Sequence, residues 1–222
     1  MIINDTIIKH YLKNVMFING TAYAGKSTMV AMLAEKYGLI ARGENYHMET
    51  TSKLATSDLY PNLCYFQTMK SWQEFLTRTP EEYVRWIDGT NQELIEFEIT
   101  ELIHISQSQK VIVDTNIPVD ILHRIADYHQ VAIMLAPQSM SVNRFFDRND
   151  SDKQFLLAQI REMENSSEVM QNFQECIKCI NSQERYEAFL NSGFFTLIRE
   201  DDGKDTRDET LSKLARHFSL EK

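Results

Sequence analysis

The sequence predicts an α/β fold, a three-layer sandwich in which a five-stranded parallel sheet lies between layers of helices. Five short apolar segments, each typical of a buried strand, alternate along the 222 residues with segments of helical periodicity. A glycine-rich loop follows the first apolar segment and leads at once into a helix-forming run, which is the local order of a phosphate-binding loop. The length is that of one domain, so we expect residues 1–222 to form a single one.

Composition and charge argue against several classes of protein. Acidic residues outnumber basic ones by 32 to 23, and the net charge is −9, so a broad nucleic-acid-binding surface is not expected. No apolar run is as long as a membrane span, and the first residues lack the pattern of a signal peptide. The three cysteines show no disulfide pattern, which favours a reducing compartment. We expect a cytoplasmic monomer or homodimer with no nucleic-acid or membrane partner.

The glycine-rich loop is the most specific motif. A strand is predicted over residues 15–19, and Gly20 follows it. After four intervening residues, Gly25, Lys26 and Ser27 complete the pattern Gly-x-x-x-x-Gly-Lys-Ser/Thr. Glycines let the backbone approach phosphate oxygens, and the N–H groups of the loop and of the next helix form an anion-binding concavity. In this pattern Lys26 reaches the β- and γ-phosphates and the Ser27 hydroxyl ligates Mg²⁺. The residues predicted to bind the nucleotide here are Gly20, Thr21, Ala22, Tyr23, Ala24, Gly25, Lys26, Ser27 and Thr28.

A second predicted strand ends close to an acidic residue. The helix after the loop is predicted over residues 26–37, with Gly38 at its C-terminal end, and the strand over residues 39–42. Because ligands bind at the carboxyl ends of strands in open α/β sheets, Glu44 is a candidate for organising Mg²⁺ or for accepting a substrate proton. An ordinary loop glutamate is the alternative.

Residues 48–109 are predicted as a helical insert before the third strand. Periodicity predicts one helix over residues 62–77. Thr79 begins another helix, with Glu82 closing a capping box, and Gly89 is a point at which that helix can bend.

The insert is rich in aromatic side chains. At helical spacing they are typical of a core, and stacking on a substrate ring is the alternative. Arg85 is a candidate anion contact for a substrate. The aromatic residues concerned are Tyr65, Phe66, Trp72 and Trp86.

The third strand, predicted over residues 110–116, is rich in β-branched residues and contains Asp114 near its end. An apolar strand that ends in an aspartate is typical of a Walker-B element, whose carboxylate holds Mg²⁺. An ordinary polar residue at a strand end is the alternative.

A candidate lid, residues 140–165, follows the fourth strand, which is predicted over residues 131–136. Ser141 is predicted to cap a helix that carries Arg144 and Arg148 one turn apart. Two guanidinium groups on a mobile segment suit closure over a transferring phosphoryl group. Surface ion pairs with neighbouring aspartates are the alternative.

The remaining segments complete the sheet and its cover. Residues 152–191 are predicted as two helices, residues 194–198 as the fifth strand, and a last helix begins with a capping box at Thr206. Cys176 and Cys179 have the CxxC spacing, but no second pair accompanies them, which favours helix packing over metal binding.

These features together resemble the P-loop nucleotide and small-metabolite kinases, the group of adenylate, shikimate and gluconate kinases. The resemblance covers the whole layout, although only the glycine-rich loop is highly specific. The segment 43–47, Gly-Glu-Asn-Tyr-His, is similar to the Gly-Asp-x-Leu-His segment of gluconate kinases, with Glu44 at the acid position and His47 at the histidine.

The resemblance implies the strand order 2-3-1-4-5 and the use of ATP with Mg²⁺. It implies that Arg144 and Arg148 are lid arginines, and that the loop 199–205, which begins with Arg199, holds the adenine base. It also implies that His47 contributes to the acceptor site.

We therefore predict an ATP-dependent kinase that transfers the γ-phosphoryl group to a small-molecule acceptor. Ser27 and Asp114 would hold Mg²⁺, while Lys26 and the two lid arginines would neutralise the transferring group. Glu44 would position or deprotonate the acceptor hydroxyl. The aromatic insert favours a nucleoside or nucleotide as acceptor, and a sugar acid or other hydroxylated metabolite is the alternative.

Other classes of nucleotide-binding protein fit less well. A GTPase would carry an Asn/Thr-Lys-x-Asp element, which is absent from the sequence. A motor or transporter ATPase would place a glutamate after Asp114, where Thr115 stands. A regulatory protein that binds ATP with little turnover stays open.

Overall fold

A five-stranded, all-parallel β-sheet forms the centre of the protein. The computed structural model describes residues 3–147 and 151–221. The strands run in the order β2-β3-β1-β4-β5, and each neighbouring pair is parallel. The predicted α/β class and strand order are therefore confirmed. The strands are β1 (Val15–Gly20), β2 (Ile40–Arg42), β3 (Val111–Asp114), β4 (Val131–Leu135) and β5 (Phe195–Ile198).

Helices connect the strands and cover the sheet. The described residues form α1 (Asp5–Tyr11), α2 (Lys26–Tyr37), α3 (Met48–Leu54), α4 (Tyr65–Thr68), α5 (Trp72–Leu76), α6 (Pro80–Ile105), α7 (Val119–Ile125), α8 (Gln138–Asn143), α9 (Ser151–Arg161), α10 (Ser166–Ile180), α11 (Gln183–Leu190) and α12 (Arg207–His217).

Side chains of β1 alternate between two apolar cores, one on each face of the sheet. Phe17 belongs to a core that includes Leu122 of α7, whereas the next residue, Ile18, belongs to a core with Leu33 of α2 and Leu214 of α12. All five of these side chains are fully buried. A parallel sheet needs cover on both faces, and these helices provide it.

The predicted ends of two helices are confirmed. Gly38 closes α2 in a left-handed conformation with φ of 66°. Thr79 caps α6, and Glu82 completes the reciprocal capping box. The 26-residue α6 runs through Gly89 without interruption, and a Cβ at Gly89 would lie 2.4 Å from the Asn62 amide nitrogen, so glycine allows that loop to pack closely. Even so, neither α6 nor any other helix in the described ranges combines the length and hydropathy needed to cross a membrane.

The insert has its own core, built largely from its aromatic residues. Phe75 of α5 packs with Phe173 of α10, and Trp86 packs against them. The Trp86 indole N–H donates to the Asn62 carbonyl at 3.1 Å, as expected of a half-buried tryptophan. Cys176 is buried in the same core, in accord with a packing role.

The helix predicted over residues 62–77 is wrong. The chain forms α4 and α5 instead, because Met69 adopts an extended conformation and Ser71 caps a new helix by accepting from the Glu74 N–H at 3.3 Å. Similarly, residues 152–191 form three helices rather than two.

One predicted helix start and one predicted capping box are also wrong, although α12 does begin after Thr206 as predicted. The Ser141 hydroxyl donates to the Gln138 carbonyl inside α8, which begins after Pro137, so Ser141 is not a cap. Thr206 precedes α12 with φ of −106° and makes no side-chain cap hydrogen bond.

Candidate active site

The glycine-rich loop is fixed to the end of β4 by its backbone. Gly20 has φ of 129°, and a Cβ at that position would lie 1.9 Å from the Met134 carbonyl oxygen. That oxygen accepts a hydrogen bond from the Thr21 N–H at 3.0 Å, and the Thr21 hydroxyl accepts from the Ala136 N–H at 2.7 Å. Gly25 then turns the chain into α2 with φ of 91°. Glycine is required at Gly20 both by its φ and by the close approach of the neighbouring strand.

Lys26, Ser27 and Asp114 converge at the mouth of this loop. The Lys26 ammonium lies 3.7 Å from Asp114 Oδ1, and it donates to the Thr21 carbonyl at 3.3 Å. The Ser27 hydroxyl donates to Asp114 Oδ2 at 2.8 Å. β1 and β3 are paired in the sheet with Ile18 opposite Asp114, which brings the start of α2 to the end of β3.

The Asp114 carboxylate is only 2% exposed, and burial raises its pKa. The Lys26 ammonium and the Ser27 hydroxyl oppose that shift, whereas the charge of Glu44 adds to it. The lysine and serine partners therefore favour the ionised form of the aspartate, whereas burial disfavours it.

The donor set at Ser27 and Asp114 fits Mg²⁺. Both residues supply oxygen ligands, and no hydrogen bond within the described ranges reaches Asp114 Oδ1. Among the residues that the structure describes, there is no group of three or more histidine, cysteine or acidic side chains that could hold a metal ion. Magnesium typically takes one or two protein ligands and completes its shell with water and substrate phosphates, which this arrangement allows.

The loops after β2 and β3 bring Glu44, Asn116 and His47 together. The Asn116 amide donates to Glu44 Oε1 at 3.0 Å. His47 is 4% exposed, and neither of its ring nitrogens has a hydrogen-bond partner within the described chain. Burial lowers the pKa of His47, so the ring is neutral at physiological pH.

Glu98 of α6 lies beside Glu44, His47 and Asn116. It is not among the site residues predicted from the sequence. Its side chain is 4% exposed, and Oε1 has no hydrogen-bond partner among the described residues. Burial raises its pKa to about 7; a hydrogen bond from the Thr115 hydroxyl opposes the shift, and the charges of Asp114 and Glu44 add to it. The Thr115 oxygen accepts from the Ile117 N–H at 3.0 Å.

A signal for Glu98 is present in the sequence. Leu94, Glu98 and Leu102 are spaced four apart on α6, and all three are buried. An acidic residue on the apolar stripe of a helix is unusual unless it has a partner or a function.

These side chains surround a small cavity at the carboxyl ends of β2 and β3. Its free volume is about 10 Å³, room for about one water molecule. The lining residues are Glu44, Asn45, His47, Asn91, Leu94, Glu98, Asp114 and Asn116.

Two predicted arginines lie beside the loop at Tyr23. The Arg199 guanidinium donates to the Tyr23 carbonyl at 2.9 Å, and the Tyr23 hydroxyl donates to the Arg144 carbonyl. The Arg144 side chain pairs with Asp201 at 2.7 Å. It follows α8 in a turn rather than lying within a helix, and Arg148 lies outside the described residues.

Arg85 is separated from the other candidates. It lines a larger cavity of about 470 Å³ in the insert, beside Arg78 and Trp86. That cavity shares no lining residue with the one at Glu44 and His47. The structure therefore groups Glu44 with His47 but does not bring Arg85 to them.

Comparison of the chain with models of known protein families gave no match, and a search among curated proteins gave none. The resemblance to P-loop kinases therefore remains a prediction.

Proposed function

We propose that the protein is an ATP-dependent kinase of the P-loop nucleotide and small-metabolite kinase type, which phosphorylates a hydroxyl group of a small acceptor. The observation that supports this best is the convergence of Lys26, Ser27 and Asp114 at the mouth of a glycine-shaped loop. The convergence lies at the carboxyl edge of the parallel sheet, where ligands bind in this class of fold.

The loop and its lysine would bind the phosphates of ATP. Backbone N–H groups between Gly20 and Ser27 and the start of α2 offer donors and a positive dipole end. Lys26 would move from its 3.7 Å contact with Asp114 toward the β- and γ-phosphates. Bound Mg²⁺, held through Ser27 and Asp114, would neutralise phosphate charge.

The transfer itself is a substitution at phosphorus. The acceptor oxygen forms a bond to the γ-phosphorus while the bond from that phosphorus to the β–γ bridging oxygen breaks, and ADP leaves with the electron pair. The acceptor proton passes to the carboxylate of Glu44, which the Asn116 amide holds at 3.0 Å beside the cavity. Positioning and charge stabilisation would supply most of the rate enhancement.

From the part of the loop around Tyr23, Arg144 would act on the phosphates and Arg199 on the adenine base. Both contact Tyr23, and the Arg144 side chain could exchange Asp201 for a phosphoryl oxygen on closure. Arg148 would join Arg144 as the second lid arginine.

Formation of ADP from ATP and Mg²⁺ tests this proposal. The protein is mixed with pooled nucleosides, nucleoside monophosphates, sugars, sugar acids and aminoglycosides. Lys26→Ala is the test variant, and Lys178→Ala, an exposed lysine on α10, is the matched control. We expect one pool to stimulate ADP formation that Lys26→Ala abolishes and Lys178→Ala retains. Undiminished turnover by Lys26→Ala would refute the proposal, and tight ATP binding without acceptor-stimulated turnover would favour a regulatory nucleotide-binding protein.

A further inference from the structure

The cavity between α6 and the ends of β2 and β3 holds a concentration of unsatisfied polar atoms. Among the described residues, seven buried side-chain nitrogen or oxygen atoms have no hydrogen-bond partner. Four of the seven belong to His47, Glu98 and Asp114, which line this one cavity. Buried polar groups are nearly always paired, so their clustering indicates that a ligand or a water completes the site.

We infer that this cavity binds one hydroxyl-bearing end of the phosphoryl acceptor through Glu98 and His47, and that the acceptor carries no anionic group. This inference rests on the kinase function proposed above. The expected compounds are sugars, amino sugars and nucleosides, and the excluded ones are sugar acids and nucleotides.

The available donors and acceptors match a hydroxyl group. A neutral imidazole has one donor nitrogen and one acceptor nitrogen, and both are free in His47. The Glu98 carboxyl group accepts one hydrogen bond from Thr115, and its Oε1 is free to accept another. The Asn91 side chain also lines the cavity. A hydroxyl both donates and accepts, so it can satisfy the two residues at once.

The charge of the lining excludes an anion. Three carboxyl groups, those of Glu44, Glu98 and Asp114, line the cavity, and no described lysine or arginine does. The ammonium of Lys26 is not part of the lining and is engaged with Asp114 at 3.7 Å. Proteins bind carboxylates and phosphates through charge-assisted hydrogen bonds, chiefly from arginine and lysine, and this cavity offers none.

The cavity also adjoins the place where transfer would occur. Asp114 belongs both to its lining and to the contacts with Lys26 and Ser27. A molecule with one hydroxyl between Glu98 and His47 would therefore have a neighbouring hydroxyl beside Glu44 and the phosphate-binding loop. The present volume admits only about one water, so the rest of the acceptor would lie outside it, next to the exposed carboxylate of Glu44, whose charge also disfavours an anionic group there.

Acceptors matched in shape but different in charge test the inference. Glucose, glucosamine and gluconate form one set, and adenosine and AMP form another. Binding to protein loaded with Mg²⁺ and ADP is followed by saturation-transfer NMR, and turnover is followed by ADP formation. We expect binding and turnover with at least one uncharged or cationic compound and with neither anion.

Glu98→Gln tests the residue assignment, and Glu96→Gln, an exposed glutamate on the same helix, is its control. We expect Glu98→Gln to raise the KM for the phosphoryl acceptor about tenfold and to change kcat less than about threefold. The reason is that a carboxylate oxygen, which accepts hydrogen bonds strongly, is replaced by a neutral amide oxygen. Affinity for ADP should be unchanged. His47→Gln should also raise the acceptor KM, and it serves if Glu98→Gln does not fold.

Preference for gluconate or AMP would overturn the inference, and so would failure of every uncharged or cationic compound to bind. An acceptor KM for Glu98→Gln equal to that of Glu96→Gln would overturn it as well, because a glutamate that only holds a structural water would not affect the acceptor. Failure of the kinase proposal is recognised separately, by turnover that survives Lys26→Ala.

Discussion

Replacement of Glu98 by glutamine should make the ligand-free protein more stable at alkaline pH but hardly at all at acidic pH. Burial raises the pKa of Glu98 to about 7 from its ordinary value of 4.5. The folded state therefore binds this proton more tightly than the unfolded chain does. The wild-type contribution is most favourable below pH 4.5, declines as the pH rises toward 7, and is fully lost above that. Glutamine keeps the shape and never ionises.

The size of the effect follows from the two pKa values. Each unit between them corresponds to about 1.4 kcal/mol, so ionisation of Glu98 in the folded protein costs about 3 kcal/mol at pH 8. Because Glu98 is 4% exposed, solvent screening reduces this only slightly. At pH 5 the variant should lie within about 1 kcal/mol of the wild type, because an amide then replaces a neutral carboxyl.

Urea unfolding at pH 5, 6, 7 and 8, with EDTA and without nucleotide, measures the difference. At pH 8 the midpoint of Glu98→Gln should exceed that of the wild type by about 1 M urea. Glu96→Gln should follow the wild-type curve, because Glu96 is exposed on the same helix. Equal midpoints at pH 8, or a difference that does not shrink toward pH 5, would refute the reasoning.

Three further substitutions test the loop and its partners. Gly20→Ala should destabilise the protein by about 3 kcal/mol or more in urea unfolding, because its Cβ would meet the Met134 carbonyl oxygen at 1.9 Å; wild-type stability would contradict the close approach. Lys26→Met should lower stability at pH 8 by roughly 2 kcal/mol, because the buried Asp114 loses its ion-pair partner; circular dichroism during unfolding measures this, and no loss would show that the pair is not stabilising. Ser27→Ala should weaken the Mg²⁺-dependent part of ADP binding in calorimetry while leaving binding in EDTA unchanged, and an equal loss in both conditions would argue against a metal contact.

The parts of the fold that the sequence predicts best are those set by local chemistry. Runs of β-branched residues predict buried strands such as β3. The ends of α2 and α6 follow from Gly38 and from the Thr79 capping box, in which the deciding contacts lie within a few residues. The convergence of Ser27 with Asp114 also follows, once the two strands are placed side by side.

The insert was predicted poorly because its local signals conflict with one another. Residues 62–77 keep a helical spacing of apolar side chains, but Ser71 offers a strong cap within the run and starts a new helix. Arg85 was assigned to the acceptor site from its neighbourhood in sequence, whereas α6 carries it to a separate cavity. Contacts of this kind depend on how the insert packs against α10, which periodicity does not specify.

Glu98 shows what a conflict between local pattern and residue type can reveal. Periodicity alone places position 98 on the buried stripe of α6, between Leu94 and Leu102. A leucine there would continue the stripe and remove the ionisation penalty, and buried charges can often be replaced by apolar residues without loss of stability. The chain instead carries a carboxyl with a free oxygen that lines a cavity beside Asp114 and His47. A buried carboxyl group lowers stability, and here it lies beside the carboxyl groups of Glu44 and Asp114 at the edge of the sheet. Such a cluster is expected where ligand binding, rather than stability, determines which residue occupies the position.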